Sequence, residues 1–189
     1  MNQSPLHPWK LREAARCIRQ GGLIAYPTEA VYGLGCDPLN RDAIERLLRL
    51  KNRPLEKGLI LIAANFEQLL PFVRPLQSNL MQPVFDSWPG PNTWLLPARA
   101  STPAWLTGAH DSLAVRVTAH PIASALCRAC HSPLVSTSAN LSNHPPARQA
   151  LRVRLTIPAG IDCILNGPLG ELERPTRIRD ALSGEQIRG

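Results

Sequence analysis

Short apolar runs recur along the chain between segments of helical spacing, and each run breaks off at Pro, Gly or a hydroxyl-bearing residue. This alternation is the strongest constraint on the fold. Apolar runs of about four to eight residues suit buried strands better than core helices. Helices and strands mix along the whole length, which implies one α/β domain, a twisted mixed open sheet flanked by helices. One domain over 1–189 is expected, with a core from about residue 9.

Trp9 to Gln20 predicts an amphipathic helix, because Leu11, Ala14, Ala15 and Ile18 repeat at i, i+3, i+4 and i+7. Gly21-Gly22 stops it. LIAYPT follows as a short strand ending at Pro27. Asn40 caps a second helix with Ile44, Leu47 and Leu48 on its buried face, ending near Lys51 because Pro54 biases Arg53 away from helical dihedrals. Gly58 to Asn65 is expected as a central strand and Phe66 to Val73 as a short helix. Pro83 to Pro97 predicts a proline-rich turn and then a strand at Thr93 to Leu96. Ser112 to Thr118 predicts a strand, His120 to His131 a helix, and PLVSTSAN a strand and loop. Asp162 to Leu165 and Thr176 to Asp180 are late strands. Ala147 to Ile161 carries the weakest signal.

Several function classes lack their machinery. Met1 to Pro8 is polar with no apolar segment after it, so no secretory signal is expected. No stretch approaches the roughly 18 apolar residues of a membrane span. The five cysteines are odd in number and mostly set among apolar residues, which fits reduced thiols and a cytoplasmic location. The chain has no G-x-x-x-x-G-K-[ST], G-x-S-x-G or H-E-x-x-H. His110, His120, His131 and His144 fall in no recognised catalytic pattern. CRACH, Cys127 to His131, matches the haem-attachment spacing. Its helical register instead suggests thiols packed in a core, so no tightly bound, protein-liganded metal is expected. The net charge of +7 favours anionic partners. Aromatic content of 5% supplies few stacking platforms for single-stranded nucleic acid.

Three segments carry the chemistry. YPTEAVYGLG begins as a strand and ends as a loop. KNRP joins a helix to a strand, and VSTSANLSN ends another strand. Strand ends are where α/β sheets bind ligands. If Lys51 to Arg53 is extended, Lys51 and Arg53 face one spot and suit a polyphosphate or carboxylate. The alternative is a solvated helix end that complements the helix dipole. STSAN offers hydroxyls and an amide to a ligand, or else forms a self-satisfied turn. Arg116, in the apolar LAVRV strand, needs either a ligand or a partner such as Asp111 or Glu29.

YPTEAVYGLG, the KNRP pair, SLAVRV and STSANLS occur in the order found in the YrdC-like family, whose members include threonylcarbamoyl-AMP synthases. The resemblance runs from about Ala15 to Gly189, with matching WPGP, DSLAVRVT and terminal segments, and is to the short, single-domain bacterial form. It implies a large basic concave cavity. It also implies that L-threonine, bicarbonate and ATP, with Mg2+ in the substrate complex, give threonylcarbamoyl-AMP and pyrophosphate. The product would serve N6-threonylcarbamoyladenosine formation in tRNA through a threonylcarbamoyl-transferase complex of the TsaD/TsaB/TsaE type. Direct tRNA binding stays open.

By the same resemblance, Lys51, Arg53, Ser138 and Asn140 surround the phosphates and the reacting carbamate. Arg116 holds the threonine carboxylate, with Thr28, Ala30, Ser136 and Thr176 in the threonine pocket. Lys51, Arg53, Lys57, Ser112, Ser138 and Arg188 contact ATP. Ala30, Lys57-Gly58, Ile62 and Asn143 depart from residues common in the family: Thr, Asn-Pro, His and Gly. A non-catalytic module binding tRNA or structured RNA is the competing reading. A carbamoyl-transfer module is a third, although the chain has no zinc-finger or acylphosphatase-like region.

Overall fold

The computed structural model describes residues 7–141, 144–173 and 176–188, with only the backbone of Arg188. Asn143 and the Arg188 side chain, both singled out from the sequence, lie outside the described residues.

Helix α1 spans Pro8–Arg19, and its end is built as the glycine pair predicts, with Gly21 at φ +81°. A hairpin follows, β1 (Ile24–Pro27) and β2 (Tyr32–Gly35). Helix α2 (Arg41–Lys51) starts at Asn40, whose side chain accepts the Ala43 N–H at 2.9 Å. A short 3-10 turn, Leu55–Lys57, leads into β3 (Ile60–Ala63). Next come α3 (Ser78–Asp86), β4 (Asn92–Pro97), α4 (Ala104–Thr107) and β5 (Ser112–Val117). Helix α5 (Pro121–Cys130) begins at His120, whose Nδ1 accepts the Ala123 N–H, and ends at His131 in the left-handed conformation. The chain closes with β6 (Leu134–Ser138), α6 (Ala150–Thr156), β7 (Cys163–Ile164), β8 (Arg177–Asp180) and β9 (Gln186–Arg188).

Among the described residues the strands form one mixed sheet in the order β7-β1-β2-β6-β3-β5-β4-β8-β9. Its parallel pairs are β1–β7, β3–β5 and β4–β8. The two faces differ. Ala25, Leu34, Leu61, Val115 and Val135 point to the larger core, which is covered by Ile44 and Leu47 of α2, Met81 and Val84 of α3, and Val153 of α6. Residues one position along each strand point the other way. There Ile24, Tyr26, Ile62 and Leu134 meet Ala14, Ala15 and Ile18 of α1 and Leu126 and Cys127 of α5. These two helices cover only part of that face. The candidate site occupies another part of the same face.

Four expectations need correction. Tyr32 to Gly35 is a strand, not a loop: neither Gly33 nor Gly35 has a positive φ. Phe66 to Val73 makes successive turns and no helix. Pro71 has no N–H to give a helical ladder, and the Phe72 carbonyl is taken by the Arg99 N–H instead. Pro83 sits inside α3, where burial of Met81 and Val84 outweighs the one backbone hydrogen bond a proline removes. Lys51 to Arg53 is not extended: Lys51 ends α2 and Asn52 is left-handed, with φ 45°. The weak stretch Ala147 to Ile161 contains α6, and β9 carried no recognisable pattern. Among the described residues no helix is long and apolar enough to cross a membrane.

Candidate active site

A hollow of about 610 Å³ opens where four segments converge: the β1–β2 turn, the C-terminus of α2, the start of β3 and the end of β6. Arg116 of β5 and Thr176, just before β8, close another side. Of the residues singled out from the sequence, Thr28, Ala30, Lys51, Arg53, Lys57, Arg116, Ser136, Ser138, Asn140 and Thr176 all line it. Ser112 does not; it lies on the same face of β5 as Arg116, two alternations earlier.

Lys51 is buried although it ends a helix. Its ammonium donates to the Ser138 carbonyl at 2.5 Å, the Asn140 carbonyl at 2.8 Å and Asn140 Oδ1 at 3.0 Å. The solvated helix end is therefore excluded. Ser138 Oγ donates to Asn140 Oδ1 at 2.7 Å, and Asn140 Nδ2 donates to the His144 carbonyl at 2.6 Å. The STSAN bend thus satisfies itself and also lines the hollow. Burial, and after it the Arg53 guanidinium, hold the Lys51 ammonium down to about 8.

The left-handed Asn52 turns the chain so that Arg53 lines the same hollow as Lys51. The helix cap, not strand alternation, brings the two together. Arg53 Nη2 donates to the Gly58 carbonyl at 2.8 Å, packing the guanidinium on the 3-10 turn. Gly58 has φ +59°, and a Cβ there would lie 2.8 Å from the Thr107 carbonyl. Glycine meets both demands at this departure from the family pattern.

At the other end, Arg116 is only 4% exposed. Its Nη1 donates to Thr176 Oγ1 at 2.6 Å and to Thr93 Oγ1 at 3.3 Å. Its Nη2 lies 3.4 Å from Glu29 Oε2. Glu29 Oε1 accepts the Thr118 hydroxyl at 2.5 Å. Burial raises the Glu29 carboxyl, but the Arg116 charge and the Thr118 hydrogen bond outweigh it and leave the group below its ordinary value. Arg116 therefore has a structural partner, Glu29, and still faces the hollow.

Sequence reasoning missed Thr93, Thr118 and Arg148. Arg148 Nη1 donates to the carbonyls of Ala30, Leu172 and Glu173, tying the β1–β2 turn to the segment before β8. A lone arginine two residues after a Pro-Pro pair gives no periodic signal. Thr93 was placed in a strand, but its pairing with Arg116 depends on the β4–β5 register. The Thr28 hydroxyl donates to the Val31 carbonyl at 2.7 Å, so it shapes its own turn as well as lining the hollow. Gly33 and Gly35 allow close approach instead of turning the chain. A Cβ on Gly35 would lie 2.4 Å from the Val135 carbonyl, and one on Gly33 would lie 3.2 Å from Thr28 Cγ2. Cys127 and Cys130 of CRACH lie on the buried face of α5, away from the hollow, and burial raises both thiols.

An α/β sheet with cations at two ends of one hydroxyl-lined hollow has the chemistry that suits acidic small molecules. The chain belongs to the Sua5/YciO/YrdC family: the model of that family, described as "Telomere recombination", matches residues 16–188. A protein of Halorhodospira halophila named threonylcarbamoyl-AMP synthase is 54% identical over the whole of both chains. One of Coxiella burnetii with the same name is 52% identical over 94% of this chain and 96% of that one. Among solved structures, P. abyssi Sua5 complexed with L-threonine superposes with a TM-score of 0.90 at 34% identity. That match covers 97% of this chain but 54% of the larger protein. E. coli YciO superposes at 0.81 with 25% identity, covering 98% and 94%.

Proposed function

We propose that the chain is a threonylcarbamoyl-AMP synthase, a nucleotidyltransferase that makes threonylcarbamoyl-AMP and pyrophosphate from L-threonine, bicarbonate and ATP. The observation that carries this reading is one hollow with Lys51 and Arg53 at one end and Arg116 at the other. Bicarbonate takes up a proton and loses water to give CO2; the threonine amine adds to it and releases a proton, leaving a carbamate. A carbamate oxygen then attacks the α-phosphorus of ATP, and pyrophosphate leaves with the bond electrons. Both reactants are anionic, so catalysis consists of neutralising and aligning them, and no protein nucleophile takes part.

In this reading Arg116, with Thr176 and Ser136 beside it, holds the threonine carboxylate, and Thr28 and Ala30 wall the pocket. Lys51, Arg53, Ser138 and Asn140 surround the phosphates and the carbamate. Lys57 stands at the ATP end, Ser112 and Arg188 are assigned to the nucleotide, and Mg2+ arrives with ATP. The activity belongs to tRNA threonylcarbamoylation in the cytoplasm. The adenylate passes to a TsaD/TsaB/TsaE-type transferase complex, and the basic surface favours contact with tRNA. Several relatives about half identical over nearly the whole chain bear the synthase name, which supports the reading.

The test is to mix protein, Mg2+, ATP, bicarbonate and threonine and to follow pyrophosphate and the adenylate by mass spectrometry. Pyrophosphate release that depends on threonine, together with the adenylate mass, is expected. Equal release without threonine rejects the reading. RNA binding with steep salt dependence and no turnover would favour a non-catalytic module.

A further inference from the structure

Thr118, just beyond β5, lies outside the residues lining the hollow, yet its hydroxyl bonds the carboxylate that faces Arg116. Its backbone N–H is fixed on the Ala63 carbonyl at 3.0 Å. Its Oγ1 accepts the backbone N–H of His120 at 3.1 Å, and the His120 ring is itself held, Nδ1 accepting the Ala123 N–H and Nε2 donating to the Pro168 carbonyl. With that lone pair engaged, the hydroxyl proton goes to Glu29 Oε1. Glu29 Oε2 then faces Arg116 at 3.4 Å without forming a hydrogen bond. Among the described residues, neither Glu29 Oε2 nor Arg116 Nε has a hydrogen-bond partner.

This is an unusual way to bury two charges. A carboxylate and a guanidinium at such burial ordinarily close into a two-point hydrogen-bonded pair. Closure here would satisfy both orphaned atoms, and it would also spend on Glu29 the charge-assisted hydrogen bonds that a ligand carboxylate needs. The Thr118 hydroxyl engages the same carboxylate through its other oxygen, Oε1.

We propose that Thr118 is a positioning residue that holds Glu29 off Arg116. The buried guanidinium thereby keeps a counter-charge while staying open to the carboxylate of an amino-acid substrate. The inference rests on the synthase reading and adds to it a residue that sets affinity for the amino acid without touching it.

The experiment measures steady-state constants for the wild type, Thr118→Val, Thr118→Ser and Glu29→Gln, plus the Thr118→Val/Glu29→Gln pair. Thr118→Val keeps the shape and removes the hydroxyl. It is expected to raise the threonine KM more than threefold, with the ATP KM and kcat changed less than threefold. Thr118→Ser, which restores the hydroxyl, is expected to return the threonine KM to within threefold of wild type. In the Glu29→Gln background the Thr118→Val change is expected to add less than threefold, because the restrained charge is gone.

A threonine KM below the threefold mark in Thr118→Val overturns the proposal. So does a parallel rise in the ATP KM, no rescue by serine, or an undiminished effect in the Glu29→Gln background. Should Thr118→Val fail to fold, Thr118→Ala takes its place under the same limits. A wild type that makes no adenylate would defeat the synthase reading itself, a result distinct from any of these.

Discussion

The Lys51 ammonium lies 2.5 Å from the Ser138 carbonyl and so joins two segments 87 residues apart. One side chain sets the position of the β6 bend relative to the end of α2. Its three acceptors, two carbonyls and an amide oxygen, converge on a single nitrogen.

Removing either cation at this end of the hollow should be costly. Lys51→Met and Arg53→Ala are each expected to lower turnover at least about tenfold, roughly 1.4 kcal/mol of barrier lowering. Lys51→Arg is expected to fail similarly, because a planar fork cannot direct three donors from one nitrogen. Pyrophosphate release under saturating threonine checks all three, and near-normal rates in Lys51→Met and Arg53→Ala would remove both residues from the site.

The Lys51 ammonium has a pH signature. Held near 8, it is charged below that pH and increasingly neutral above it. ATP affinity is therefore expected to fall as pH rises through about 8, and to change less over the same range in Lys51→Met. For stability the sign is opposite. Between about 8 and the ordinary lysine value of 10.5, the unfolded chain binds more protons than the folded one, so this group makes stability rise with pH across that window. Isothermal titration with ATP and urea denaturation, each from pH 7 to 9.5, separate the two effects. A wild-type ATP affinity that stays flat through pH 8 would show that Lys51 is not titrating at the site.

The two glycines of β2 should separate stability from binding. Gly35→Ala places a Cβ 2.4 Å from the Val135 carbonyl and 2.8 Å from Tyr26 Cε1, so it is expected to cost about 1–3 kcal/mol in urea denaturation. Gly33→Ala meets Thr28 Cγ2 at 3.2 Å and both Ser136 Oγ and Tyr26 Cζ at 3.4 Å, beside the hollow. It is expected to raise the threonine KM with a smaller loss of stability. The reverse order in the two measurements would contradict the packing described here.

Arg148 ties together the carbonyls of Ala30, Leu172 and Glu173. Arg148→Met is expected to cost about 1 kcal/mol of stability, the scale of a partly solvated hydrogen-bond cluster. It should also weaken threonine binding through the loosened β1–β2 turn. Unchanged threonine affinity by calorimetry would confine the residue to stability.

Much of the frame was legible because its signals are local. The apolar spacing of Ala14, Ala15 and Ile18, the Asn40 cap and the Gly21 stop each act within a turn or two of helix, and each appears as expected. The errors arose where a local rule met a tertiary one. Pro83 resembled a breaker until burial of α3 outweighed it, and Gly33 and Gly35 resembled turn residues because a sequence does not show which backbone passes beside them. At KNRP the composition pointed to two cations at one spot, but the geometry that brings them there came from a helix cap.

By itself, then, the sequence determined the mixed α/β architecture, the strand-end segments that carry cations and hydroxyls, and the family. These follow from periodicity, capping and ordered motifs, all read from near neighbours along the chain. Only the tertiary structure decided that Lys51 is buried against the β6 bend, that Glu29 faces Arg116, and that the Thr118 hydroxyl bonds Glu29. Those pairings depend on strand register and on which face of the sheet the helices leave uncovered. Both are set by packing between residues far apart in sequence, where no local pattern records them.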